Sequence, residues 1–287
     1  MGLAFTAAPQ YAGWVGIALS LFAAVGYGAS DFLAGVAGRR GPTALVAVTG
    51  QPVALAAAVL GLFLFRWSGP APAALAWGAA SGLGSGVGIL ALYRGLAIGE
   101  MTVVATLSGV LTALIPAGVG LALGNRPAAV QLAGMVIAIP AVAMVSWQAR
   151  DHVSRGRGVR EALLAGAGFA VLFIALDRAG TASGTWPLVT GQLVSLLVVA
   201  AAAVRSGGAG WRRVAPLAAG AGILGGVGNI LFLRATGVSQ LALVAVISSL
   251  YPAVTVLLAR FGLGERWNRV QRAGLLAAAL SVVLIGI

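Results

Sequence analysis

Apolar runs, separated by short polar or Gly- and Pro-containing connections, follow one another along the whole chain. A helix needs about 20 mostly apolar residues to cross the ~30 Å hydrocarbon core of a bilayer, and ten runs approach this length. The alternating pattern typical of strands does not compete with them. We therefore predict an all-α integral membrane protein with ten spans, near residues 14–38, 43–65, 72–93, 101–123, 128–147, 162–179, 186–204, 214–233, 240–261 and 270–287.

The longest polar stretch, residues 148–161, divides these spans into two groups of five. It predicts a first five-helix repeat at 1–147, a linker loop, and a second five-helix repeat at 162–287. Because five is an odd number, the second half would enter the membrane from the opposite side. We expect two inverted-topology repeats around a central cavity, with a substrate site near the bilayer midplane.

An internal duplication supports this division. Residues 82–147 align with residues 222–287 at an offset of 140 without a gap, and Val-Thr-Gly-Gln at 48–51 recurs at 189–192. The period is far longer than that of solenoid repeats. It is typical of transporters in which two similar halves exchange conformations to give alternating access.

Composition narrows the class of protein. The chain is 60% hydrophobic and 8% charged, whereas soluble domains carry about 25% charged residues. The start of the chain lacks the basic region of a signal peptide, so the first apolar run is expected to be a span. The absence of Cys excludes disulfides and thiolate metal sites, and we expect no metal and no cofactor.

The net charge of +12 comes from arginines placed between the apolar runs. This distribution is typical of the positive-inside rule and not of a groove that follows phosphates, so nucleic acid is excluded as a partner. The connections after spans one, five, seven and nine hold most of the arginines. The rule places these connections in the cytoplasm and both termini outside.

Three short segments occur in a recognisable order: Tyr-Gly-Ala-Ser-Asp-Phe at 27–32, Ala-Leu-Tyr-Arg-Gly-Leu-Ala-Ile-Gly at 91–99, and Leu-Tyr-Pro at 250–252 followed by Leu-Gly-Glu-Arg at 263–266. Their order and the duplication resemble the ten-span EamA-type members of the drug/metabolite transporter superfamily. The first half departs from this pattern, because Thr112 and Asn125 stand where the second half has Pro252 and Glu265.

The resemblance implies a secondary transporter of small metabolites, often an amino acid exporter related to aromatic amino acid efflux proteins. It implies a multi-pass protein of the bacterial-type inner (plasma) membrane, a monomer or homodimer, whose partners are a small-molecule substrate and the lipid bilayer. Members of this family are often drawn with cytoplasmic termini, the orientation opposite to that which the arginines favour.

Two amides are the leading candidates for substrate contact. Gln51 and Gln192 lie well inside apolar spans and occupy equivalent positions in the duplication. A buried amide needs hydrogen-bond partners, and two such amides could offer donors and acceptors to one zwitterion. The alternative is an interhelical hydrogen bond worth about 0.6 kcal/mol.

Further polar candidates lie in spans four, eight and nine. Ser108, Ser248 and Tyr251 could line a polar cavity, although serines also bond back to their own helix. Asn229 is a fourth candidate, and it aligns with the apolar Ile89. The cavity is therefore expected to be asymmetric, with the larger contribution from the second half.

Aromatic and acidic residues add candidates. Tyr27 and Trp186 could clamp a side chain or an ammonium group, while tryptophans also concentrate at membrane interfaces. Asp31 is an acid within the first span, where it could couple protons or pair with an ammonium group. Alternatively, Asp31 reaches the interface near Arg39.

Glycines form a further repeated pattern. Gly82 and Gly86, with their equivalents Gly222 and Gly226, give small-xxx-small faces that permit close helix packing or gating. The glycine-rich run around the first pair lacks the strand and the spacing of a dinucleotide fingerprint. Pro252 is expected to interrupt the ninth span and expose carbonyl groups.

The sequence thus predicts a secondary transporter that exports small metabolites, with amino acids as the leading substrate class. A sugar-phosphate or nucleotide-sugar antiporter that uses Arg94 or Arg234 is the alternative within the same superfamily. An enzyme is not expected, because catalysis needs clustered titratable groups. A membrane scaffold or receptor without transport would leave the duplication unexplained.

Overall fold

The computed structural model of the chain describes residues 9–65, 67–98, 101–147, 158–204, 211–263 and 267–287. Within these ranges the secondary structure is helical and contains no strand. The helices are α1 (Pro9–Gly38), α2 (Thr43–Leu64), α3 (Pro72–Ile98), α4 (Met101–Ala122), α5 (Ala129–Val145), α6 (Val159–Ala179), α7 (Trp186–Ala203), α8 (Trp211–Thr236), α9 (Leu241–Ser248), α10 (Tyr251–Leu263) and α11 (Arg269–Gly286).

The predicted class, an all-helical membrane protein, is confirmed. In the described part of the chain, 8 segments are long and apolar enough to cross a membrane. The predicted spans four and five are represented by shorter apolar helices, Leu107–Ala122 and Ala129–Val145. A total of ten membrane crossings stays a prediction.

The predicted ninth span is broken into α9 and α10. Prolines at 52, 116 and 140 lie inside continuous helices, so a proline alone does not end a helix here. At the break, the Leu250 amide donates to the Ile247 carbonyl at 3.1 Å, and the Ser249 hydroxyl donates to the Val246 carbonyl at 2.8 Å. This tight turn at Leu250, followed by Pro252, which has no N–H group, interrupts the regular backbone hydrogen bonding of the helix.

The linker lies mostly outside the described residues. Helix α6 begins at Val159, so the last three residues of the predicted linker at 148–161 are helical. Gly158 precedes the helix with a φ of 85°, a conformation that favours glycine.

Helices of one half pack mainly on helices of the other half. α1 packs on α8 as α6 packs on α3, and α2 packs on α8 as α7 packs on α3. α4 packs on α6, while α9 and α10 pack on α1; α5 faces α11, and α2 faces α7. Exchanging the two halves leaves this set of pairs unchanged, and the space at the centre is bounded by both halves.

Glycine makes the crossings between halves close. A Cβ atom at Gly82 would overlap the Gly191 carbonyl, and one at Gly222 would overlap the Gly50 carbonyl. One turn further, a Cβ at Gly86 would lie 2.8 Å from Val198 Cβ. A Cβ at its equivalent, Gly226, would lie 3.1 Å from Ala57 Cβ. Both predicted glycine pairs therefore lie where helices of opposite halves touch, which larger side chains would prevent.

Candidate functional site

A cavity of about 150 Å³ lies between the halves. Side chains of α1, α2, α3, α4, α6, α7, α8 and the start of α10 line it. Six of the residues predicted to bind substrate or couple protons are among them, together with the predicted packing residue Gly222: Tyr27, Asp31, Gln51, Gln192, Asn229 and Tyr251.

The two amides of the duplicated Val-Thr-Gly-Gln segment line the cavity from α2 and α7, two helices that pack on each other. Gln51 and Gln192 are each 7% exposed. Gln51 Nε2 donates to Ser195 Oγ at 3.0 Å, whereas Oε1 of both amides is buried without a partner in the described residues. Because buried polar atoms nearly always have a hydrogen-bond partner, two unsatisfied acceptors beside one cavity indicate a functional site.

A hydrogen bond joins α1 to α8 at the cavity wall. The Tyr27 hydroxyl donates to Asn229 Oδ1 at 2.8 Å, and the Ser30 hydroxyl, one turn along α1, donates to the Ala221 carbonyl at 2.8 Å. Both bonds connect the first half to the second. They set the orientation of the polar side chains of α1 toward the centre of the molecule.

Asp31 lines the cavity beside these residues. It lies seven residues before the end of α1 at Gly38, about 10 Å along the helix axis. Tyr251 begins α10 at the helix break and also lines the cavity. Among the described residues, Asp31 takes part in no ion pair and in no cluster that could hold a metal ion.

Helix contacts align α1 with α6 at an offset that sequence comparison does not reveal. A Cβ at Gly228 would lie 2.8 Å from Tyr27 Cε1, and one at its equivalent, Gly88, would lie 2.9 Å from Phe169 Cδ1. Tyr27 thus corresponds to Phe169, an offset of 169 − 27 = 142 residues. At the same offset, Asp31 corresponds to Phe173.

This alignment reveals a polar and an apolar wall. Where α1 presents Tyr27, Ser30 and Asp31, α6 presents Phe169, Leu172 and Phe173, and all six residues line the cavity. The apolar wall is stiffened by Phe173, whose ring stacks on Phe232 with centroids 4.2 Å apart. Asymmetry was predicted from Asn229 and Ile89, with the larger contribution from the second half, whereas this polar wall belongs to the first half. The main source of the asymmetry on α6 was missed, because phenylalanines in an apolar span carry no distinguishing signal.

Three of the predicted substrate-binding residues are not among the described residues that line this cavity. Ser108 Oγ donates to the Val104 carbonyl of its own helix at 2.7 Å. Ser248 Oγ donates to the Ser20 carbonyl at 3.5 Å. Trp186 packs edge-on against Trp67, with centroids 6.0 Å apart. Sequence reasoning missed Ser85 and Thr112, which do line the cavity.

The two ends of the cavity differ. Toward the α1–α2 connection, Ala34 and Ala47 line it. Their equivalents toward the α6–α7 connection are Leu176 and Leu188, which are buried in an apolar cluster. At that second end, Thr185 Oγ1 donates to the Ala58 carbonyl at 2.7 Å. The cavity therefore extends toward the α1–α2 connection and is packed shut toward the α6–α7 connection.

One family model matches the second half of the chain. Residues 157–287 match the family model of the EamA-like transporter family. No curated protein matches the chain. A protein of known crystal structure superposes with a TM-score of 0.73 at 15% identity, over 95% of this chain and 97% of that chain. At such low identity, the likeness shows the fold alone.

Proposed function

We propose that this chain, which belongs to the drug/metabolite transporter superfamily, exports small metabolites across a bacterial-type inner membrane by alternating access. Its membership rests on the EamA-like match of its second half and on its membrane-spanning helices. Transport of small molecules across a membrane is the activity of that family. Amino acids are the substrate class that we propose, and outward is the direction that the sequence resemblance implies.

The observation that carries this proposal is the cavity between the halves, with Gln51 and Gln192 at equivalent positions beside it. An amide both donates and accepts hydrogen bonds, so the pair suits a zwitterion with an amino and a carboxylate group. The volume of about 150 Å³ is similar to that of an engineered protein cavity that binds benzene. This size favours a single small metabolite.

Alternating access is supported by the difference between the two ends of the cavity. Small residues, Ala34 and Ala47, stand at one end where buried leucines stand at the other. When the two halves are exchanged, each helix pair that joins them maps onto a pair that is also present. In the opposite state, we propose, the α6–α7 end opens and the α1–α2 end closes around the same amides.

The alternative of a phosphorylated substrate has less support. It needs a cation in the cavity, and none of the described residues that line it is Arg, Lys or His. Arg94 Nε lies 3.6 Å from Glu161 Oε1 at an exposed site, and the Arg234 guanidinium lies 3.9 Å from the centre of the Phe65 ring. A scaffold or receptor would not need a cavity bounded by duplicated halves.

Flux measurements in proteoliposomes test the proposal. The purified chain should move at least one labelled amino acid from a panel of neutral, aromatic and charged species, and measurements with and without a pH gradient would show whether protons are coupled. Gln51→Ala and Gln192→Ala should each lower the rate about tenfold or more, the expected loss of a hydrogen bond to a charged group.

Gln131→Ala is the matched control, because this amide lies on α5, where its side chain bonds the Ala128 amide instead of facing the cavity. Its flux should stay near that of the unaltered chain. Absence of flux for every amino acid would overturn the proposed substrate class. Normal flux in both Gln51→Ala and Gln192→Ala would remove the amides from the site.

A further inference from the structure

The charge of the cavity lining is unbalanced. Asp31 is the one carboxylate among the described residues that line the cavity, and no basic side chain accompanies it there. In a site enclosed by apolar helices, opposite charges attract far more strongly than in water, and an acid inside a membrane span is normally paired. Among the described residues, the lining thus offers a charged partner to a positive group and no charged partner to a negative group.

The polar and apolar walls of the cavity also determine how a positively charged molecule would be oriented in it. Asp31, Ser30 and Tyr251 lie on the polar side, while Phe169, Leu172 and Phe173 form the apolar side. A molecule that satisfies both walls is positively charged at one end and apolar at the other. With a volume of about 150 Å³, the apolar end has room for about one ring or a short branched chain.

We propose that the site recognises the ammonium group and the apolar body of its substrate and needs no carboxylate, so that small apolar primary amines bind at least as well as the corresponding amino acids. This inference rests on the proposed transport function and specifies the substrate class of the same cavity. It differs from zwitterion recognition, because a carboxylate would enter a lining whose formal charge is already negative.

Primary amines are favoured over quaternary ones by the neighbouring acceptors. Gln51 Oε1 and Gln192 Oε1 are buried without partners in the described residues. An ammonium group carries three N–H donors, which can serve Asp31 and, after small side-chain rotations, one of these amide oxygens. A trimethylammonium group has no N–H and leaves the acceptors unsatisfied.

Binding to the full chain in detergent, with flux in proteoliposomes, tests this with four probes that share one ring. The probes are phenethylamine, phenylalanine, 3-phenylpropionate and N,N,N-trimethylphenethylammonium. The amine should bind at least as tightly as phenylalanine and about tenfold or more tighter than the acid, because Asp31 attracts an ammonium group and repels a carboxylate. The trimethyl analogue should bind more weakly than the amine.

Asp31→Asn should abolish the preference for amine over acid, and Asp31→Glu should retain part of it. Asp177→Asn, which changes an acid on α6 that does not line the cavity, should keep the preference in full. Because the four-probe comparison needs no variant, poor folding of Asp31→Asn would not obscure the result.

Two outcomes overturn the inference and separate it from the proposed function. If phenylalanine is bound and transported while phenethylamine is not, the carboxylate is required and the transport proposal stands alone. If neither these probes nor any amino acid is bound or moved, both proposals fail together.

Discussion

At the scale of single residues, the role of each polar side chain depends on the groups that it contacts. Tyr27 links α1 to α8 because its hydroxyl donates a hydrogen bond to Asn229 Oδ1 at 2.8 Å. The role proposed for Asp31 rests on the absence of a basic side chain among the described residues of the lining. Ser108, by contrast, uses its hydroxyl on its own helix. The same residue types therefore serve either the cavity or the helix, according to their contacts.

The bond between Tyr27 and Asn229 can be measured by a double-mutant cycle with Tyr27→Phe and Asn229→Leu. The coupling free energy in thermal or denaturant unfolding should be about 0.6–1.7 kcal/mol, the range of such bonds in membrane proteins. As a control, Tyr27→Phe with Thr190→Val should be additive, because Thr190 bonds the carbonyls of Leu75, Trp186 and Pro187 instead. Additivity in both pairs would contradict the link.

At the scale of helices, the arrangement depends on how closely backbones approach. In a bilayer the lipid tails are as apolar as Leu, so helix association relies on packing and hydrogen bonds more than on the hydrophobic effect. The glycine contacts Gly82–Gly191 and Gly222–Gly50 let α3 lie on α7 and α8 on α2 at equivalent points of the two halves. Gly50 and Gly222, at one of these crossings, also line the cavity.

Gly82→Ala should therefore destabilise the protein by about 1–3 kcal/mol, the usual cost of overpacking, because the added Cβ overlaps the Gly191 carbonyl. Gly118→Ala is the matched control. Gly118 lies inside α4, and a Cβ there meets nothing within 4 Å, so the change should be neutral or stabilise by up to about 1 kcal/mol. Equal melting temperatures for the two variants in detergent would show that the crossing does not need glycine.

At the scale of the whole molecule, two halves of similar sequence adopt unequal packing around one cavity. Leu176 and Leu188 close one end, whereas their equivalents Ala34 and Ala47 line the other. α5 and α11, which are equivalent to each other, face each other. If the halves exchange conformations, contacts at the α6–α7 end must break, but the α5–α11 contact can persist.

A disulfide across the closed end should therefore stop transport. A Cβ at Gly61 would lie 3.3 Å from Thr185 Cβ, close to the separation of about 3.5–4.5 Å found in disulfides. The natural chain has no Cys, so Gly61→Cys with Thr185→Cys adds the only thiols. Oxidation should abolish flux in proteoliposomes, and a reductant should restore it.

The control joins α5 to α11 by Gly134→Cys with Leu284→Cys, since a Cβ at Gly134 would lie 3.0 Å from Leu284 Cβ. Oxidation of this pair should leave most of the flux intact. Full flux with a closed Gly61–Thr185 disulfide would mean that this end need not open, and alternating access in the proposed form would be wrong.

The sequence alone was sufficient to predict the class of the protein, the approximate positions of most helices and several residues that line the cavity. These follow from local properties, because a helix in lipid satisfies its own backbone and apolar length alone marks a span. Gln51, Gln192 and Asn229 could be selected because a polar group costs free energy in an apolar span unless something requires it.

Which of these residues come together at the cavity depends on the tertiary structure. Ser108 and Ser248 were as plausible as Tyr251, but helix rotation directs the serine hydroxyls to carbonyls and the tyrosine to the cavity. The alignment of α1 with α6, which matches Asp31 to Phe173, depends on the contacts of Tyr27 with Gly228 and of Phe169 with Gly88, residues that are far apart in the sequence. Sequence pattern records what each helix carries, whereas the shape and charge of a cavity arise only when helices from both halves are placed around it.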